Sequence, residues 1–287
     1  MTDDLEVING NVVKSRINIL IRFSHVSYHS RPFKQAKNKD PEDYFETVMC
    51  DERLKERFYY FEKYCLPSLD SQKNRNFNVL IRSSSLLPVK YKEKLISIAQ
   101  KRNYIFLSFL KPEDNCNIED RKNMHRLFTK EAGPVITSRL DDDDALAIEF
   151  VDELSKYLKN EFKGYCISFS SGYYLREKLI SEKMRYSIPK VRYINIACGL
   201  SYVTGRYMLA RNINNMNENH VTIDNIFPTI IDSRKPMFLV LAHNHNDSDR
   251  LTKKIFDSSN YVKYEEIPMD ISSRFNLSQL GDNYDKH

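Results

Sequence analysis

Val135-Ile136-Thr137-Ser138-Arg139-Leu140 runs directly into Asp141-Asp142-Asp143-Asp144, and apolar residues resume at Ala145. The first six residues favour a strand. Downstream, Ala147, Phe150, Val151, Leu154, Tyr157 and Leu158 keep the spacing of one helical face. The stretch reads as strand, acidic loop and helix, with Asp143 or Asp144 as the helix cap. Two carboxylates about 6 Å apart repel by about 0.7 kcal/mol in water, and by nearly 3 at an effective dielectric near 20. Four in a row are therefore expected to stay wet or to hold a cation, and oxygen ligands suit Mg²⁺ or Mn²⁺.

Upstream, Ile17–Phe23, Phe77–Arg82 and Tyr104–Phe109 are apolar almost throughout, as expected of strands buried on both faces. Between them, Leu54, Phe58, Phe61, Cys65 and Leu66 form one apolar helical stripe that Pro67 is expected to end or kink, and 91–102 is a second helix. Residues 25–50 read as a long loop, and 111–134 as polar chain with a short helix near 121–130. The order β-α-β-α-β-(α)-β-α predicts an α/β fold with a mostly parallel sheet and crossover helices. Ligands of such sheets bind at the carboxyl ends of the strands, where Arg22, Ser24 and Arg82 fall.

The second half is less regular. Tyr165–Ser170, Val191–Ala197 and Met237–Leu241 are strand candidates, Ser171-Gly172 reads as a turn and 211–220 as an Asn-rich loop. From about 268 onward the chain is polar and reads as an irregular arm. There is no internal repeat and no low-complexity linker. The expectation is one domain, with a first half at about 16–145, a second at about 146–267 and a tail at 268–287.

Composition narrows the class. The chain has 287 residues, 41% hydrophobic and 29% charged, which is ordinary for a globular protein and ample for a core. A net charge of +5 without a Lys/Arg block argues against a nucleic-acid-binding arm. The 5 cysteines are widely spaced with no CxxC pair, which argues against a disulfide framework and a zinc site. With no apolar leader and no 18-residue apolar run, the expected location is cytoplasmic, and the mild positive charge allows peripheral contact with the inner membrane face.

In an extended chain Asp141 and Asp143 would share a face with Arg139, and Asp142 and Asp144 the other. An Asp-x-Asp pair at a strand end suits a divalent ion that bridges the phosphates of a nucleotide-sugar. The bland alternative is a solvated turn. Arg139 suits phosphate or a local charge balance for the aspartates, and Arg22 and Arg82 suit a nucleotide or surface salt bridges. His243 and His245 lie on one face of an extended segment and are candidate metal ligands, with His220 a weaker rival. If the reaction inverts configuration it needs a base, for which Asp224, Asp247 and Asp249 are candidates; Asp247 is chosen because it follows the histidines.

The segments Phe61-Glu62, Leu66-Pro67-Ser68-Leu69, Gln72 and Phe77, with Thr137 to Leu146, Arg22-Phe23-Ser24 and Gly199-Leu200-Ser201, resemble the rhamnosyltransferase family of GT-A-fold glycosyltransferases over about 17–250. The resemblance implies a Rossmann-like nucleotide-sugar half, an acceptor half and a diphosphate-bound Mn²⁺ or Mg²⁺. It makes Asp143 the main metal ligand, puts Asp141 on the ribose or the metal, and adds a late histidine, His243 or His245, to the metal shell. The implied activity is a metal-dependent hexosyl- or deoxyhexosyltransferase acting from a nucleotide-sugar donor onto a glycan or lipid-linked glycan of capsule or lipopolysaccharide. A metal-dependent nucleotidyl- or phosphotransferase is the rival, though no Gly-rich phosphate loop is present. A non-catalytic sugar or Ca²⁺ module is another, though the acidic run lacks the spaced ligands of an EF-hand.

Overall fold

The computed structural model describes residues 5–6, 14–28, 41–205, 213, 220–243, 255–256 and 260–280. The strands, in chain order, are β1 (Leu5–Glu6), β2 (Ile17–Arg22), β3 (Asn78–Ser84), β4 (Ile105–Leu110), β5 (Pro134–Asp141), β6 (Ala145–Leu146), β7 (Cys166–Phe169), β8 (Ser171–Ile180), β9 (Lys183–Ser187), β10 (Lys190–Arg192), β11 (Ser201–Gly205), β12 (Thr229–Asp232) and β13 (Phe238–Leu241). The helices are α1 (Pro41–Met49), α2 (Asp51–Tyr60), α3 (Leu66–Asp70), α4 (Val89–Gln100), α5 (Cys116–Leu127), α6 (Phe150–Ser155) and α7 (Met269–Arg274).

The main sheet has the order β1-β4-β3-β2-β5-β11-β7-β12. Its centre, β4-β3-β2-β5, is parallel throughout, whereas β11 is antiparallel to both β5 and β7. Both faces are covered, which is why the central strands are mainly apolar without a regular polar alternation. Ile17, Ile19, Ile21, Val79 and Ile81 face Phe58, Phe61 and Leu95. Leu20, Leu80 and Phe106 point the other way, into Met124 and Leu127 of α5. The expected α/β fold, a mostly parallel mixed sheet flanked by helices, is the observed one.

A second, smaller sheet runs β10-β8-β13-β6, with β9 paired to β8. β5 belongs to the first sheet and β6 to the second, so the four aspartates form the crossing between them. Ser68 of α3 and Gln72, just beyond that helix, fix the far side of that crossing. Ser68 Oγ accepts from the Leu146 amide at 3.2 Å. Gln72, only 2% exposed, donates to the Ala147 carbonyl at 2.8 Å and accepts from the Val151 amide at 3.0 Å.

Several expectations are corrected. The helix after the aspartates does not start at once: Ala145–Leu146 pairs with β13, and α6 has only 6 residues. Residues 25–50 are not all loop, since 41–49 form α1. Pro67 does not stop its helix. A π turn at Phe61–Cys65 joins α2 to α3, and the Lys63 carbonyl, which Pro67 cannot serve for want of an N–H, accepts instead from Gln279 Nε2 at 2.5 Å. Ser171-Gly172 opens β8 instead of forming a turn; a Cβ at Gly172 would lie 2.4 Å from Phe238, so the glycine serves close strand approach. The strand expected at Val191–Ala197 shortens to β10. The described part of the tail, to Leu280, is not an irregular arm: α7 and the following turn carry Phe275 and Leu277, both 0% exposed, into the main core.

Candidate functional site

Strand register sets the site. Arg22 pairs with Arg82 on one side and with Asp141 on the other, so Arg82, Arg22 and Asp141 stand level on β3, β2 and β5 at the carboxyl end of the sheet. Arg139 reaches the same place from β5. Its Nη2 donates to both Asp141 carboxylate oxygens at 3.1 Å, and Arg22 Nη2 lies 3.9 Å from Asp141 Oδ1. Burial opposes the Asp141 charge, but Arg139 and Arg22 hold its carboxyl below the ordinary carboxylate range. Burial, reinforced by Arg139, lowers Arg22 to about 10. Three guanidinium groups thus stand around one half-buried carboxylate.

Asp141 to Asp144 form a tight turn closed by the Asp144 amide on the Asp141 carbonyl at 3.2 Å, not the extended segment expected. The alternation of faces survives for a different reason, because the inward pair has specific partners. Asp142 is 1% exposed and takes a two-pronged ion pair from Arg57: Nε donates to Oδ2 at 2.8 Å and Nη2 donates to Oδ1. Asp144 is 5% exposed and accepts from the Leu241 amide of β13 at 3.1 Å. Burial, with the charges of Asp143 and Asp141, pushes the Asp144 carboxyl well above its ordinary range, which favours the protonated form. The quartet therefore tolerates its own repulsion by neutralising two members inside and leaving two half-buried beside Arg139 and His243.

Asp143 faces away from the arginines and meets His243, just beyond β13, with Nε2 2.8 Å from Oδ2. His243 stacks on Tyr60 of α2 at a ring separation of 4.5 Å, and its Nδ1 lies 3.7 Å from Glu56 Oε1. Among the described residues no group of three or more His, Cys, Asp or Glu side chains is arranged to hold a metal ion. Two donors do converge, however. Adjacent ligands of an octahedral Mg²⁺ lie about 3 Å apart, which matches the Asp143–His243 separation. Such ions keep several waters and take further oxygens from phosphates, so a two-residue donor set fits them.

Beside the arginines lie buried polar groups whose bonding is incomplete among the described residues. Arg82 Nη1 pairs with the buried Asp120 of α5 at 2.5 Å. This leaves Arg82 Nε and Asp120 Oδ1 without a partner among the described residues, as are Ser24 Oγ and Ser83 Oγ. Ser24 itself sits at φ 44, a left-handed conformation costly for a residue with a side chain. Burial and the positive charges of Arg82 and Arg22 lower His25 to about 3; burial and Arg139 lower His220 to about 4. Both imidazoles stay neutral and add hydrogen-bonding capacity without charge.

The structure thus gathers Arg22, Ser24, Arg82, Arg139 and Asp141 on one side of the aspartate turn, and Asp143 with His243 on the other. His245, Asp247 and Asp249 lie outside the described residues. Asp224 accepts from Asn195 Nδ2 at 2.7 Å. Arg57, Tyr60 and Asp120 were not singled out from the sequence. Arg57 carried a signal, since it lies three residues after Leu54 and four before Phe61, inside the buried stripe of its helix. A separate depression of about 420 Å³, lined by Asp70, Arg75, Arg102 and Tyr104, lies at the opposite end of β4 from this site. Among the described residues no helix is long and apolar enough to cross a membrane.

Comparison with known proteins gives one family. The family model described as "Putative rhamnosyl transferase" matches residues 16–255. A search of curated proteins found no match. Among solved structures, S. aureus TarS is similar at 11% identity and a TM-score of 0.36, over 79% of this chain and 36% of that one. The chain thus spans about a third of the length of TarS. The inositol-1-phosphate CTP transferase from T. maritima aligns at 13% identity and a TM-score of 0.33, over 86% of this chain and 98% of that one. The nucleoside-diphosphate-sugar pyrophosphorylase from Vibrio cholerae RC9 aligns at 12% identity and a TM-score of 0.29, over 79% of this chain and 93% of that one.

Proposed function

The chain belongs to the putative rhamnosyl transferase family, and we propose that it is a metal-dependent glycosyltransferase of GT-A type that moves a hexosyl or deoxyhexosyl group from a nucleoside-diphosphate donor onto a glycan. The acceptor is a glycan or lipid-linked glycan of a surface polysaccharide. The observation that carries the reading is the division of labour at the aspartate turn, with arginines on one side and a carboxylate–imidazole pair on the other.

Arg22 and Arg139 are suited to diphosphate oxygens, because guanidinium groups donate in a planar fork that matches phosphate. Asp141 keeps those guanidinium groups oriented. Asp143 and His243 would hold Mn²⁺ or Mg²⁺, which when bound supplies Lewis acidity toward the leaving diphosphate. The buried Arg57–Asp142 pair fixes the turn from beneath, so that Asp143 presents its carboxylate without reorganisation. Asp247 is the proposed base for an inverting transfer; a retaining transfer requires none.

A thermal-shift panel tests this reading. A nucleoside diphosphate at a hundredfold excess over its Kd stabilises a fold by about 2.7 kcal/mol. The account expects such a shift for one nucleoside diphosphate, with Mn²⁺ or Mg²⁺ present and not without it. Stabilisation by nucleoside triphosphates with release of pyrophosphate would replace it with a nucleotidyltransferase. Stabilisation by a free glycan or Ca²⁺ alone would replace it with a binding module.

A further inference from the structure

The hairpin β8–β9 departs from the sheet that carries it. β8 runs parallel to β13 as far as the pair Leu175–Leu241, then continues to Ile180, where β13 has ended. His243 follows Leu241 by two residues, so the hairpin projects from the rim that carries the Asp143–His243 pair.

Its register sorts the side chains. Arg176 pairs with Ser187, Lys178 with Arg185 and Ile180 with Lys183, and alternate pairs share a face. Arg176, Lys178, Lys183 and Arg185 therefore lie on one face. The intervening pairs, Glu177–Tyr186 and Leu179–Met184, form the other. Glu177 does not offset the cations, because Lys63 Nζ and Tyr64 Oη both bind it at 2.7 Å. At the tip Leu179 is 61% exposed and Ile180 37% exposed, one on each face.

Arg176 lies 4.5 Å over the Phe256 ring and Lys178 5.8 Å over the Tyr261 ring, contacts that hold the cations without neutralising them, and two features remain. Lys178 stands directly opposite Arg185, an arrangement that destabilises an isolated hairpin. The turn places Ser181 at φ 50 and Glu182 at φ 61, a two-residue reversal normally built from Asn and Gly. A basic face relieved by an external anion, ending in exposed aliphatic side chains, matches the chemistry of a lipid interface, where headgroups meet acyl chains.

We propose that the β8–β9 hairpin docks the protein onto an anionic phospholipid surface, with Arg176, Lys178, Lys183 and Arg185 on the headgroups and Leu179 and Ile180 in the interface. A soluble polyanion would satisfy the cations but give the aliphatic tip no role. Docking at this rim brings the Asp143–His243 side of the site toward the surface. The docking itself is independent of the transferase reading.

The test is co-sedimentation of the full chain with vesicles of phosphatidylcholine alone and of phosphatidylcholine with phosphatidylglycerol, at low and high salt. Each Lys or Arg near an anionic surface contributes roughly fivefold to partitioning. The expected result is binding to the anionic vesicles only, weakened by salt. The variant K178Q/K183Q/R185Q should lose roughly a hundredfold, and L179S/I180S roughly tenfold. Both variants should keep a Tm no lower than wild type and the wild-type nucleotide response, since neither touches the arginines or the aspartate turn. Equal binding to neutral vesicles, absence of binding, or wild-type partitioning by the triple variant would overturn the proposal. Wild-type binding by L179S/I180S, with competition by dextran sulfate, would overturn it in favour of a soluble polyanion.

Discussion

Replacing Arg57 by Ala should unfasten the aspartate turn. Asp142 is 1% exposed and receives both prongs of the Arg57 guanidinium. Removing the guanidinium strands a buried carboxylate, a change that costs about 3–5 kcal/mol. In a chain of this size that lowers Tm by roughly 10 °C. The loss should depend on pH in a defined direction. Burial already holds the Asp142 carboxyl above its ordinary value while Arg57 pulls it down, so the variant should raise it further. A carboxyl whose folded value exceeds its unfolded value of about 3.9 contributes stability at low pH that is lost as pH rises through the folded value. Arg57→Ala should therefore be less damaging at about pH 5 than at about pH 8. Urea unfolding at the two pH values measures this. The double variant Arg57→Met/Asp142→Leu should recover most of the loss, because neither charge is then buried. A single variant within about 1 kcal/mol of wild type at both pH values would refute the argument.

Two further outcomes follow from contacts already described. Gly172→Ala should cost about 1–3 kcal/mol in thermal unfolding, since its Cβ would meet both the ring and the carbonyl oxygen of Phe238 at 2.4 Å; an unchanged Tm would mean the strands are not this close. Arg139→Ala should weaken nucleoside-diphosphate binding roughly tenfold to a hundredfold in calorimetric titration while leaving the fold intact, and unchanged affinity would remove Arg139 from the phosphate site.

Much of this was legible in the sequence because the central strands are covered on both faces. Ile19-Leu20-Ile21 and Val79-Leu80-Ile81 are apolar at consecutive positions, and such runs leave few alternatives. The strand-end arginines and the aspartate turn were visible for the same reason, since charges stand out where such runs stop. Partners remote in sequence were not legible. Asp142 and Arg57 are 85 residues apart, and nothing local distinguishes Asp142 from Asp143. Gly172 misled because a glycine needed for close approach looks the same as one needed for a turn. The tail misled because Phe275, Leu277 and Leu280 are too few and irregular to announce a buried face, although all three are buried.

The central claim is that Asp143 and His243 hold a divalent ion against the donor diphosphate. Calorimetric titration of Mn²⁺ into wild type and Asp143→Asn, each with a saturating nucleoside diphosphate, tests it most directly. The account predicts one Mn²⁺ bound by wild type and at least a tenfold to hundredfold loss in the variant. Equal Mn²⁺ affinity in the two proteins would contradict it.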